Sequence, residues 1–389
     1  MKIIHYCQHV LGIGHFFRTL EICRALVGHE VTLLSGGPAL DIPLPDHVRE
    51  VQLPGLMMDP EFKDLFPTES GKALEEGKEN RKRILFDCFE KISPDLFLVE
   101  LYPFGRKAFH FELDPVLKGI RNKDLSSCRV VCSLRDILVE KKDPVAYEKR
   151  VIRILNNCFD ALLVHGDPRL LKLDETFAQV PEIDIPLVYT GFVARKPEPD
   201  ARPKLRKKLG ISGSGILVVA SAGGGVVGAP LLEAVINAFA DLNPDRNRYL
   251  YVFTGPFTRP DEFERLQRLS GKSVKVSRFT PDFLSYLAAA DLSVSMAGYN
   301  TCMNILATQV PALVWPFPQN REQRLRAERL ARHGLLEVLD AKDLRASRLA
   351  GMMEQKLSRK TASRFRADLD GAGNTAEWLE RWMFGHRRL

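Results

Sequence analysis

Two α/β halves, each built on a mostly parallel sheet, are what this chain predicts, and three observations carry the expectation. Apolar runs of strand length alternate with amphipathic helical runs, the pattern left by strand–helix–strand crossovers. The pattern breaks in IPLVYTGFVARKPEPDARP, rich in proline and charge, and restarts with LRKKLGISGSGILVVASAGGG. Glycine turns follow the first strand of each half, at Gly12-Ile13-Gly14-His15 and at Gly223-Gly224-Gly225, where a parallel sheet presents ligands at its carboxyl edge. The expected division is residues 1–192, 193–370 and a C-terminal amphipathic helix, 371–389.

The totals fit this division. The 389 residues, 45% hydrophobic, can supply a core to each half. A formal charge of +7 suits anionic ligands or an anionic membrane face. Nucleic acid is not expected, because the basic residues are dispersed and no zinc-finger or RNP pattern accompanies them. The seven cysteines are an odd set without a Cys-x-x-Cys pair, mostly inside apolar runs, which reads as reduced, buried thiols in the cytoplasm. KIIHYC opens directly as a strand, without a signal-peptide pattern, and no uninterrupted apolar window is long enough to span a bilayer. No His/Cys/Asp cluster has metal-ligand spacing.

In order, KIIHYC is a strand, FFRTLEICRALVG a helix ended by Gly28, and HEVTLLSGG a second strand. Residues 38–60 read as an extended loop with an apolar tip, LPGLMM, and residues 67–92 as a charged helical stretch whose ESGKALEEGKENRKR forms a solvated face. Strands then end at Glu100, at Arg135-Asp136 and at His165. Strand ends face the ligand edge, so Glu100 or Asp136 is either a catalytic base or half of an Arg–carboxylate pair that fixes a loop. His165 reads as a core or capping residue. His15 stands at a helix start, where it either caps the turn or points at a ligand. Three consecutive glycines cost backbone entropy, which favours close approach to a ligand at Gly223 to Gly225.

The densest stretch lies between Phe279 and Ala327. DLSVSM is a buried strand broken by AGYNT, CMNILATQ a short helix, VPALVWPFP a strand closed by prolines, and NREQRLRAERLARHG a helix ended by Gly334. A strand ending at Gly298 with a helix from Asn300 or Thr301 aims free N–H groups and a positive dipole end at the sheet edge, a seat for phosphate.

AGYNT, VPALVWPF and NREQ together resemble the donor-binding segment of the family 28 glycosyltransferases, which include the lipid II-forming N-acetylglucosaminyltransferases of peptidoglycan synthesis. The resemblance implies the GT-B architecture, two Rossmann-like domains facing across a cleft, with the last helix returning to the N-terminal domain. It implies that Gly298, Asn300 and Thr301 hold the diphosphate of a nucleotide sugar, that Asn304 meets the ribose, and that Glu322 and Gln323 meet the sugar. Asn304 departs from the family's usual glutamate. Phe279 and Thr280 fall where the family wraps the nucleobase with backbone groups, although Phe279 reads equally as plain core. Thr190, Gly191 and Arg195 match an interdomain run, and Arg195 would reach a phosphate. Gly223, Gly224 and Gly225 match a second glycine loop. Gly12, Gly14 and Arg135 fall on the acceptor side, where the family's first loop ends in a histidine that His15 matches, with one glycine fewer here. The implied reaction is inverting transfer from a UDP-linked or other nucleotide sugar to an acceptor hydroxyl, with His15, Glu100 or Asp136 as base. The nucleotide sugar is a substrate and no cofactor is expected, because a helix N-terminus can neutralise the leaving diphosphate. LPGLMM and the nearby KENRKR suggest a lipid-linked acceptor, with the protein peripheral at the inner membrane face. A nucleotide-sugar 2-epimerase or hydrolase of the same fold, and a non-catalytic nucleotide-sugar-binding protein, are the alternatives.

Overall fold

The computed structural model describes residues 1–10, 14–58, 64–69, 71, 73–139, 141–242, 247–358 and 363–385. The chain divides into two compact units, Met1–Val193 with Asp370–Leu389, and Ala194–Leu369.

In unit 1 the strands are β1 (Lys2–Cys7), β2 (Glu30–Ser35), β3 (Val48–Gln52), β4 (Leu56–Met58), β5 (Leu65–Pro67), β6 (Leu96–Glu100), β7 (Arg129–Arg135), β8 (Ala161–His165) and β9 (Leu187–Tyr189). Seven of them pair in parallel in the order β3-β2-β1-β6-β7-β8-β9, while β4 and β5 form a small antiparallel ribbon. The helices are α1 (Gly14–Ala25), α2 (Leu74–Ile92), α3 (His110–Asn122), α4 (Pro144–Cys158) and α12 (Gly371–Phe384).

The continuous apolar composition of these strands has a direct cause, since both faces of the sheet are covered. Side chains alternate between faces, so Ile4, Tyr6, Phe97 and Val99 share one core with α2, α3 and α4. Ile3, Leu33, Leu96 and Leu98 share the other with Phe16 and Leu20 of α1 and Ala376 and Leu379 of α12. The C-terminal helix is thus part of unit 1, and Asn374 Nδ2 donates to the Thr190 carbonyl at 2.8 Å.

Unit 2 contains β10 (Ile216–Ser221), β11 (Arg248–Phe253), β12 (Val274–Ser277), β13 (Leu292–Met296), β14 (Ala312–Trp315) and β15 (Glu337–Val338), all parallel in the order β12-β11-β10-β13-β14-β15. Its helices are α5 (Ala201–Lys208), α6 (Ala229–Ala240), α7 (Pro260–Gln267), α8 (Phe283–Ala289), α9 (Tyr299–Thr308), α10 (Arg321–Arg332) and α11 (Ala346–Ser358). Leu231 and Val235 of α6 and Leu349 and Met353 of α11 pack with Val218, Leu250 and Val294 of the sheet.

Three expectations need correction. Residues 38–60 are not one extended loop, because Val48–Gln52 extends the sheet as β3 and Leu56–Met58 pairs with β5. The LPGLMM stretch is not an apolar tip, for Leu53 and Leu56 are fully buried in the core. The charged run of α2 is not uniformly solvated either. Arg81 is wholly buried, where its Nε and Nη2 donate to Glu112 at 2.8 and 2.6 Å. It also donates to the Gln8 side chain and to the Gly36 and Pro54 carbonyls. A guanidinium has five donors, and only a full set of acceptors makes its burial tolerable.

All seven cysteines are free thiols, six buried and Cys158 half-buried. Among the described residues, no helix is long and apolar enough to cross a membrane, and no group of His, Cys, Asp and Glu could hold a metal ion.

Candidate active site

In each sheet the strand order reverses beside the unit's first strand, between β1 and β6 in unit 1 and between β10 and β13 in unit 2. Loops leaving the carboxyl ends of such a pair turn to opposite sides and leave a crevice. The candidate residues gather at these two places.

In unit 1, α1 follows β1 and carries His15 in its first turn, while Glu100 is the last residue of β6. His15 Nδ1 lies 2.6 Å from Glu100 Oε1. Arg18, three residues on and therefore on the same helix face, also donates to Glu100 Oε1. Arg106 Nη2 stands 3.6 Å from Glu100 Oε2. The Glu100 side chain is fully buried, Arg18 and Arg106 are 3% and 7% exposed, and His15 keeps 23% of its surface.

Burial by itself would raise the Glu100 pKa, but His15, Arg106 and Arg18 more than offset it, and the net direction is down. The carboxylate is ionised. Burial of the imidazole pushes His15 down to about 3, against the pull of Glu100 and with the help of Arg106 and Arg18. A neutral ring beside an ionised carboxylate places its proton on Nδ1, donated to Glu100, and leaves the lone pair on Nε2. The ring is thus held in one tautomer beside a buried charge.

The other unit 1 candidates are more scattered. Asp136 is 3% exposed, and a Cβ on Gly166 would come within 3.2 Å of its Cβ. Arg135 ends β7. Gly14 is the first residue of α1, and Gly12 lies outside the described residues. His165 is buried, with Nε2 2.7 Å from Ser133 Oγ and Nδ1 2.8 Å from Thr190 Oγ1.

In unit 2 the glycine loop follows β10 and α9 follows β13. Gly298 is the N-cap of α9, with φ −64° and no side-chain cap bond. A Cβ there would meet nothing closer than Thr301 Oγ1 at 3.9 Å. The space beside Gly298, at the positive end of the helix, is therefore unfilled. Thr301 is buried, Asn300 exposed and Asn304 half-buried. The glycine loop divides by cause. Gly223 has φ +67° with open space around it, and Gly224 approaches only Phe257, whereas a Cβ on Gly225 would strike Thr258 Oγ1 at 2.3 Å and the Thr254 carbonyl at 2.6 Å. Gly225 is thus required by packing against the turn after β11, and only Gly223 and Gly224 face outward.

Gln323 is used locally, accepting from the Phe317 N–H at 3.1 Å while its own N–H donates to the Asn320 cap at 3.0 Å. Glu322 pairs with Arg326 at 3.0 Å, and the Arg326 guanidinium lies 5.1 Å from the centre of the Tyr299 ring. The starts of α9 and α10 are therefore neighbours. Phe279 is 59% exposed, which removes the core reading, and Thr280 Oγ1 accepts from the Asp282 N–H. Arg195 is exposed. Sequence reasoning missed Arg18 and Arg106. Arg18 left a trace as a lone cation among inward apolar positions of α1, and Arg106 left none.

Comparison with known proteins accords with this geometry. Residues 218–369 match the model of the glycosyltransferase family 28 C-terminal domain. An uncharacterised glycosyltransferase of Methanopyrus kandleri is 22% identical over 62% of this chain and 67% of its own length. The UDP-N-acetylglucosamine–N-acetylmuramyl-(pentapeptide) pyrophosphoryl-undecaprenol N-acetylglucosamine transferase of Caldanaerobacter subterraneus is 31% identical over 39% of this chain and 43% of its own length, so the match spans less than half of that relative. Among solved structures, the calicheamicin glycosyltransferase CalG4 superposes with TM-score 0.62 at 16% identity, covering 99% of both chains. MurG of Acinetobacter baumannii superposes with TM-score 0.59 at 15% identity, covering 98% of this chain and all of the other. The chain therefore shares the GT-B fold of these glycosyltransferase structures, and its residues 218–369 match the family 28 C-terminal domain.

Proposed function

We propose that the protein moves a sugar from a UDP-linked donor to an acceptor hydroxyl with inversion at the anomeric carbon. The observation that carries the reading is the His15–Glu100 pair, a neutral imidazole whose Nδ1 is engaged 2.6 Å from a buried carboxylate and whose Nε2 is left to take a proton. His15 Nε2 removes the acceptor proton as the hydroxyl attacks the anomeric carbon, and the bond to the diphosphate breaks on the opposite face. Glu100 stabilises the imidazolium that forms. The uncapped start of α9 receives the departing diphosphate, with Thr301 and Asn300 as polar contacts and Asn304 one turn on at the ribose. Gly223 and Gly224 let backbone approach the donor, Phe279 and Thr280 border its base, Glu322 and Gln323 hold the loop beside its sugar, and Arg195 supplies a further cation. Asp136 and Arg135 shape the acceptor side. A helix terminus does the electrostatic work here, so the reaction needs no cofactor, and turnover survives EDTA.

The relative from C. subterraneus acts on a pyrophosphoryl-undecaprenol acceptor, which supports a lipid-linked acceptor and a peripheral position at a membrane. The burial of Leu53 and Leu56 takes the LPGLMM stretch out of that argument.

The test is a thermal-shift screen of UDP-, GDP- and dTDP-sugars followed by UDP release with and without lipid-linked and soluble acceptors. A UDP-sugar raises the midpoint, and release depends on acceptor. Epimer or free sugar formed at the same rate without acceptor would establish the epimerase or hydrolase reading, and tight binding without turnover a binding protein.

A further inference from the structure

We infer that Lys141 of unit 1 is a covalent modification site, the amine that an acyl phosphate acylates in preference to its exposed neighbours Lys142 and Lys149. The site stands whether or not the protein transfers a sugar, because it is built from charge and shape at the start of α4.

Lys141 lies between the end of β7 and the N-cap of α4. Its Nζ is 5.6 Å from the centre of the Tyr147 ring, and the Arg150 guanidinium is 5.9 Å from the same centre. Both partners are themselves held, Tyr147 Oη donating to the Phe104 carbonyl at 2.7 Å and Arg150 Nη2 to the Pro103 carbonyl at 3.2 Å. One ring thus gathers two cations. The described carboxylates of this segment are committed elsewhere. Asp143 caps α4 by accepting from the Ala146 N–H at 3.0 Å, and buried Glu148 accepts from the Ala178 and Gln179 N–H groups at 3.1 and 3.0 Å. Among the described residues, neither Lys141 nor Arg150 pairs with a carboxylate. Lys78, Lys82 and Lys204 show the opposite arrangement, each holding a carboxylate, at 2.7, 2.6 and 2.6 Å.

A protonated amine is no nucleophile, so reactivity follows from how far the ammonium form is disfavoured. Withdrawal of the amine from water on its ring side does this first, and the like charges of Arg150 and Arg135 add to it, so the Lys141 pKa lies below the ordinary lysine value. The residue as a whole stays exposed, which leaves the side chain open to a reagent. The same cations attract an anionic acyl donor. The Nζ lone pair attacks the acyl carbon, the C–O bond to phosphate breaks, phosphate leaves with the bonding pair, and the nitrogen gives its proton to water. The amide that forms is neutral and relieves the crowding of like charges.

The test exposes the folded protein to acetyl phosphate and follows each lysine by peptide mass spectrometry, from initial rates between pH 7 and pH 10. At pH 7 Lys141 should react at least about fivefold faster than Lys142 and Lys149, since each unit of lowered pKa leaves about tenfold more free amine. Its rate should also level off at lower pH than theirs. Arg150→Gln withdraws one cation and should slow Lys141 by about twofold or more while leaving Lys142 as it was. A Lys141 rate no higher than that of Lys142 overturns the inference, and so does an Arg150→Gln protein with an unchanged Lys141 rate. Should Arg150→Gln not fold, the wild-type pH profiles decide, and coincident profiles for Lys141 and Lys142 overturn the inference. Failure of the transferase reading shows instead as absent donor binding and turnover, which this labelling does not measure.

Discussion

Replacing Glu100 by glutamine removes one charge from a fully buried position while keeping its shape. The amide oxygen can still accept from His15 Nδ1, so the tautomer survives. What is lost is the charge that meets the imidazolium in the transition state. A unit charge roughly 4 Å from the ring centre, at an effective dielectric constant of about 20, is worth about 4 kcal/mol, which corresponds to roughly a thousandfold in kcat. Donor KM should be unchanged, because the residues proposed to hold the donor lie in unit 2. Stability also falls, by about 3–5 kcal/mol, since Arg18 and Arg106 stay buried after losing this carboxylate. The folded-state pKa of Glu100 is depressed. Its contribution is therefore complete above the unfolded glutamate value of about 4.3 and is lost as pH falls below it. The stability gap between wild type and Glu100→Gln should be widest near neutrality and close in acid. Single-turnover UDP release and urea titration at several pH values measure both effects. A folded Glu100→Gln protein with kcat within threefold of wild type would refute the charge-backed base.

Acid sensitivity should come from buried histidines. Burial lowers His5 to about 4 and His165 to about 3, so both bind protons first in the unfolded chain. Stability is whole above roughly pH 6.5 and falls below it by about 1.4 kcal/mol per pH unit for each residue; identical urea midpoints at pH 7 and pH 5 would contradict this. The glycines of unit 2 should separate by role. Gly225→Ala, with φ +89° and the Thr254 carbonyl 2.6 Å from the new Cβ, should lose about 2–3 kcal/mol, whereas Gly298→Ala should cost less than about 1 kcal/mol yet weaken UDP binding measured by calorimetry. Arg81→Met leaves Glu112 buried without its guanidinium and should destabilise unit 1 by about 3–5 kcal/mol in chemical denaturation, an expectation that fails if the midpoint is unmoved.

The sequence alone determined what is local. Strand and helix runs, the reset within IPLVYTGFVARKPEPDARP, the glycine turns and the helix start after Gly298 are written in neighbouring residues, because hydrophobic period and turn chemistry act over a few positions. It could also place Glu100 at a strand end and His15 at a helix start. Only the tertiary structure decided that these two meet, since they lie 85 positions apart and are joined by the pairing of β1 with β6, which sets Tyr6 opposite Val99. The same holds for Arg81, which looks like one more cation on a charged helix until Glu112, Gln8 and two loop carbonyls surround it. Gly225 looked like ligand chemistry and proved to be a packing requirement of the turn at Thr254 to Thr258. Charge pairing and close approach depend on strand order, and strand order is a property of the whole sheet rather than of any one segment.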